Sequence, residues 1–130
     1  MPISPANRKL YPKDWPHMVN RVRHRSGSRC ECSGQCGEDH DGGRCSAING
    51  YPHPVTTSIV VLTVAHFHGE PLESVDIARM FDACQRCHNR YDAPMRQANA
   101  AKTRAAKKEA AAARVRDKAG AIAFDMECRR

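Results

Sequence analysis

Cys84-Gln85-Arg86-Cys87 sets two thiols three positions apart. A two-residue spacer lets both thiolates reach one tetrahedral ion at about 2.3 Å, which is half of a structural zinc site. His88 follows directly, and His66 closes a β-branched run over residues 57–65. A histidine titrates close to neutral pH and can take a proton from water. A second histidine can hold a divalent ion against a phosphate oxygen. Phosphodiester hydrolysis needs that division of labour: a base for the nucleophile and a Lewis acid for the developing charge.

The other half of the zinc site must come from Cys30, Cys32, Cys36 and Cys45. Arg29-Cys30-Glu31 and Cys36-Gly37 read as two flanks of a knuckle, which favours Cys30 and Cys36. Cys32-x3-Cys36 is a tighter knuckle and nearly as good. Cys45 is then left over, and Cys32 and Cys45 stand as alternative ligands or as ligands of a second zinc held by bridging sulfurs. Cys128, on the tail, is expected to be a bystander. His40 and His53 lie in an acidic, Gly/Pro-rich loop, residues 37–54, and are expected at the surface, with a second zinc as the alternative.

The elements that position these residues must do so with little apolar material. Of 130 residues, 19 are Val, Ile, Leu or Phe. A share this low, with a net charge of +7, belongs to disordered chains unless something besides apolar burial holds the fold. Metal fits that need in a small domain. The start of the chain shows no apolar signal region, and no apolar run is long enough to span a membrane. The expected compartment is therefore a reducing cytoplasm, where cysteine clusters favour metal over disulfides.

Charge divides the chain in three: residues 1–29 carry +6, residues 30–95 carry −5 and residues 96–130 carry +6. Basic arms suit a polyanion through counterion release. Asp14, Trp15 and Pro16 open a helix in which Trp15, Met18, Val19 and Val22 share one face, and Ser26-Gly27-Ser28 ends it. Residues 57–65 predict a strand buried on both faces. From Pro94 to about Ala119 the Ala/Lys/Arg-rich sequence predicts a poorly buried basic helix that stops near Gly120. The expected organisation is a flexible basic N-terminus (1–13), a zinc-stabilised domain (14–95) and a basic helical tail (96–130).

Residues 15–92 resemble the HNH endonucleases of the ββα-metal type, particularly small versions from phages and prophages. The resemblance rests on Asp14-Trp15, Val22-Arg23, Arg29-Cys30-Glu31, Val61-Leu62-Thr63-Val64-Ala65-His66 and Cys84-Gln85-Arg86-Cys87-His88-Asn89-Arg90-Tyr91-Asp92. It implies a small α+β fold: a ββα-metal core stabilised by a four-cysteine zinc site, with a basic helix on either side. It assigns His66 as general base and His88 as ligand of a catalytic Mg²⁺, Mn²⁺ or Ni²⁺, and it puts Cys84 and Cys87, with two upstream cysteines, on a structural zinc. The products would carry 5′-phosphate and 3′-hydroxyl ends. Many members have Asp before the first histidine, where this chain has Ala65; His68 or Glu70 could complete the metal shell. The family's middle asparagine falls at Arg79.

The function expected is metal-dependent cleavage of DNA, in the host cytoplasm if phage-encoded. A terminase or portal component of a packaging machine is the expected protein partner. The alternative is a zinc-dependent DNA-binding module or packaging accessory without catalysis. Backbone contacts to DNA are expected from Arg21, Arg25, Arg86, Arg90, Arg104, Lys107 and Lys108.

Overall fold

The computed structural model describes residues 3–128, without the side chains of Asp125, Glu127 and Cys128, so the expectation for Cys128 lies outside the described residues. The chain separates into two units, Met1–Asp92 and residues 93–130.

The first unit is small and α+β. Helix α1 (Pro5–Arg8) is one turn, capped by Ser4, whose side chain accepts from the Asn7 amide. The expected flexible segment thus contains a helical turn, and Tyr11 beyond it packs edge-on to Trp15 at 4.7 Å. Helix α2 (Trp15–Ser26) follows the predicted face: Met18 and Val22 are buried, with Trp15 packed beside them. Asp14 takes the N-cap position but makes no side-chain cap bond. Gly27 ends the helix at φ 65°, with its N–H on the Arg23 and His24 carbonyls. A left-handed residue there costs glycine nothing, because it has no Cβ.

Strand β1 (Thr63–His66) pairs antiparallel with β2 (Met80–Ala83), Thr63 opposite Ala83 and His66 opposite Met80. Helix α3 (Gln85–Cys128) starts two residues after β2 ends. The predicted strand 57–65 is therefore shorter and one-sided. Val60 and Leu62 are buried, while Ile59 and Val61 are 55% and 56% exposed. Residues 58–60 pair with residues 50–53 and β2 pairs only from Thr63 on, so the face that carries Ile59 and Val61 stays uncovered.

The main core contains twelve buried residues, and six are cysteines: Cys30, Cys32, Cys36, Cys45, Cys84 and Cys87. Val60, Leu62 and Phe81 are its large apolar members, contributing about 1.5–3 kcal/mol each. A structural zinc, if these cysteines held one, would contribute about 10–16 kcal/mol and outweigh the three together.

Charged side chains fasten α2 to the sheet. Asp82 on β2 is fully buried. Its carboxylate accepts from Arg23 Nε at 2.6 Å and Ser26 Oγ at 2.9 Å, and Arg23 Nη2 also donates to the Leu62 carbonyl. Arg25 grips Glu31 with two hydrogen bonds and donates to the Ile77 and Met80 carbonyls. Glu31 in turn accepts from the Asp82 amide.

In the second unit the described residues form one exposed helical stretch, the rest of α3. Gly120 does not end it: the helix runs on to Cys128. Gly120 shows no left-handed φ, and Ala119, Ala121 and Ala123 around it are strong helix formers, so a glycine costing about 1 kcal/mol is absorbed. Pro94 lies inside the same helix. No described helix is long and apolar enough to cross a membrane.

Arg23→Ala would leave the Asp82 carboxylate buried without its cation. The expected loss is about 3 kcal/mol of stability, read as a lower denaturation midpoint. The double variant Arg23→Ala/Asp82→Asn should recover part of that loss, because no uncompensated charge remains.

Candidate functional site

Two local features bring the thiols together. Residues 29–32 run antiparallel to residues 45–49: Arg29 bridges Ile48, the Cys30 amide donates to the Ala47 carbonyl and the Cys45 amide donates to the Cys32 carbonyl, both at 2.8 Å. Arg44 and Arg29 hold this pairing, donating to the carbonyls of Ser26, Arg29 and Cys30 and of Arg44 and Cys45 respectively. At the other side, Cys84 leaves β2 and Cys87 sits in the first turn of α3. The Cys84 amide donates to Cys30 Sγ at 3.3 Å, and the Cys87 amide to Cys84 Sγ at 3.4 Å.

The sulfurs of Cys30, Cys45, Cys84 and Cys87 all lie within 4.8 Å of one another, and all four residues are buried. Thiolates around one zinc at 2.3 Å stand about 3.8 Å apart, so these side chains can hold such an ion. Cys45 thus takes the place expected for Cys36. The antiparallel pairing sets Cys45 beside Cys30, whereas Cys36 leaves on the turn closed by the Gly37 amide and the Gly34 carbonyl. Cys36 belongs to a second group with Cys32, His40 and Cys87.

Without a cation, four adjacent thiols cannot all ionise. Hydrogen bonds from Cys30, then Cys87, push the Cys84 thiol far below its ordinary range; the contact with Cys84 pushes Cys30 up, and contacts with Cys30, then Cys84, push Cys87 up. His53 supports the cluster. Contrary to the expected surface position it is 6% exposed. Its Nδ1 accepts from the Val55 and Thr56 amides, which leaves the proton on Nε2. That atom is buried with no ordinary hydrogen-bond partner among the described residues and acts on the Cys84 sulfur.

His66, His68 and His88 stand on β1, the loop after it and the first turn of α3. His66 ends β1, its ring stacked on Trp15 at 5.2 Å and 12° and edge-on to Tyr11. Its Nε2 is buried with no hydrogen-bond partner among the described residues. Burial pushes the imidazole below its ordinary pKa; Glu70 opposes this and His88 adds to it. His66 is therefore neutral at neutral pH and able to accept a proton. His88 meets Thr63 Oγ1 through Nδ1 at 2.6 Å and Asp92, one helical turn on, through Nε2 at 3.1 Å. His68 stacks on Tyr91 and lies 3.8 Å from the other Asp92 oxygen. Helical spacing of i and i+4 explains how His88 and Asp92 share a face.

Glu70 and Arg79 pair with each other at 2.7 Å, and the Arg79 carbonyl accepts from the Phe67 amide. Arg79 thus braces the loop between the strands by an ion pair and its backbone. Asp92 was not anticipated as a site residue; its signal was the i+4 position after His88.

The arginines divide. Arg25 is engaged by Glu31 and two carbonyls while its side chain stays 37% exposed. Arg86 and Arg90 both pair with Glu38, and Arg86 holds the Glu38 carboxyl below its usual range. They do not pair with Asp82 or Asp92, the acids nearest in sequence. Arg21 is exposed on α2, and Arg104, Lys107 and Lys108 are exposed on the distal part of α3. In comparisons with known proteins, no family model, no curated protein and no solved structure matched the chain.

Cys84→Ser removes a sulfur that lies between Cys30 and Cys87. If these thiols hold a metal, the variant purified with zinc is expected to lose bound metal and, with it, amide-exchange protection over residues 29–32 and 45–49 together. Metal analysis paired with hydrogen exchange reads both.

Proposed function

We propose that the chain is a metal-dependent endonuclease of the HNH type, hydrolysing phosphodiester bonds in DNA. One observation carries this reading. A strand, a returning strand and a helix follow in that order, and they bring a neutral, desolvated His66 close enough to His88 for the two to interact electrostatically. Fold order and residue pair agree with what the resemblance of residues 15–92 implies.

In this reading His66 Nε2 takes a proton from the attacking water. Its lowered pKa keeps the base form populated at neutral pH. His88 Nε2 and Asp92 Oδ2, 3.1 Å apart, are the pair that would hold a divalent ion. One carboxylate and one imidazole suit an ion that keeps several coordination places for water and phosphate. Bound there, Mg²⁺, Mn²⁺ or Ni²⁺ would stabilise charge on the phosphate oxygens. With His88 ligating through Nε2, its Nδ1–H donates to Thr63 Oγ1, which fixes the ring. Asp92 supplies the carboxylate that Ala65 cannot. The basic arms, residues 1–29 and 96–130 at +6 each, would hold the duplex backbone and make binding strongly salt-dependent.

The second reading, a zinc-dependent DNA-binding module without catalysis, is favoured by Ala65 and by the Tyr11 and Trp15 rings packed on His66. Supercoiled plasmid incubated with Mg²⁺, Mn²⁺ or Ni²⁺ separates the two. The endonuclease reading expects nicking that falls about 10²-fold or more in His66→Ala, with zinc content unchanged. A gel shift at low salt without nicking under any of the metals would establish the binding module.

A further inference from the structure

We propose that Cys32, Cys36, His40 and Cys87 hold a second zinc-class ion, so that the Cys87 thiolate bridges two metals. This inference is independent of the nuclease reading.

The donor atoms of these four residues lie within 4.8 Å of one another, and Cys87 is the member shared with the first group. His40 Nε2 stands 3.4 Å from Cys36 Sγ and 3.6 Å from Cys87 Sγ. A nitrogen at 2.0–2.1 Å and a sulfur at 2.3 Å on a tetrahedral zinc are separated by about 3.5 Å. Those two distances are what one ion between the three atoms requires. The Glu38 amide donates to Cys36 Sγ at 3.5 Å, as the Cys87 amide does to Cys84 in the first group. A donor aimed at a sulfur stabilises its thiolate form in both places.

The chain around these ligands argues for the same ion. Residues 33–43 contain no large apolar side chain, so burial cannot fix them. Even so, His40 and Asp41 adopt φ 48° and 54°. Two successive non-glycine residues in the left-handed region are sterically disfavoured and persist only where surroundings impose them. The conformation delivers the His40 imidazole to two sulfurs. If Cys32 and Cys36 were only small buried hydrophobes, nothing would be served by bringing an imidazole onto them.

Charge is also consistent with two ions. One divalent ion among six buried thiols leaves two of them outside its reach. Six thiolate charges against four positive ones leave −2, next to the Arg86 guanidinium, on which Cys87 and Cys36 both act. A thiolate sulfur has lone pairs enough to bind two ions, and Cys87 sits where both groups meet.

The test is metal stoichiometry of the full chain purified with zinc, by elemental analysis and native mass spectrometry. Two zinc ions per chain are expected, falling to one in Cys36→Ser and in His40→Ala with the protein still folded. One ion in the unaltered protein overturns the proposal, as does a mass lower by two hydrogens with peptide mapping that places the disulfide at Cys32 and Cys36. Should the variants fail to fold, protein loaded with NMR-active cadmium decides. Coupling of the Cys87 β-protons to two cadmium signals is expected, and coupling to a single one overturns the bridge.

Discussion

Six buried thiols at the junction of β2 and α3 are the constraint on which the rest of this domain depends. Sulfur atoms this close can be fully ionised only around cations, and a protonated set offers a core with three large apolar side chains. Metal bound by these thiols would stand in for the apolar burial that the composition lacks. It does so at the place where geometry matters most. Cys84 and Cys87 tie the first turn of α3 to residues 30 and 45, two segments with no regular secondary structure. Cys87 and His88 are neighbours in sequence and about 100° apart around the helix. The same turn thus faces the sulfur cluster with one residue and Thr63 of β1 with the next. Whatever fixes Cys87 also aims His88 and, one turn on, Asp92.

A second layer of constraint is ionic. Asp82 receives Arg23 and Ser26 from α2, and Glu31, one residue after Cys30, receives Arg25 and the Asp82 amide. The helix, the cysteine-bearing segment and β2 are locked by charges, and the fully buried Asp82 cannot lose Arg23 without being left uncompensated in low dielectric. The basic residues of α2 accordingly differ: Arg23 and Arg25 tie the helix to β2 and Glu31, while Arg21 stands exposed.

Local spacing made part of this readable from sequence. The Cys84–Cys87 pair, the course of α2 to its stop at Gly27, and a histidine at the end of a strand all follow from periodicity and short-range chemistry. What escaped depends on contacts far apart in the chain. Cys45 pairs with Cys30 because residues 45–49 lie beside 29–32, and no spacing rule encodes that. His53 is buried because its ring caps its own turn while reaching a sulfur thirty residues on. Glu38 captures Arg86 and Arg90 although Asp82 and Asp92 are nearer in sequence. The strand over 57–65 was overestimated because its β-branched composition does not reveal that its pairing is broken: Ile59 makes an isolated bridge to Pro52, and a regular ladder starts only at Thr63. Gly120 was misjudged for the opposite reason, since strong helix formers on both sides outweigh one glycine.

Zinc K-edge X-ray absorption on the full-length purified protein tests the central claim, that metal bound by these thiols holds the domain, most directly. The account predicts a first shell dominated by sulfur at about 2.3 Å with a minor nitrogen contribution. A shell of oxygen and nitrogen only, or a folded protein that carries no metal at all, would contradict it.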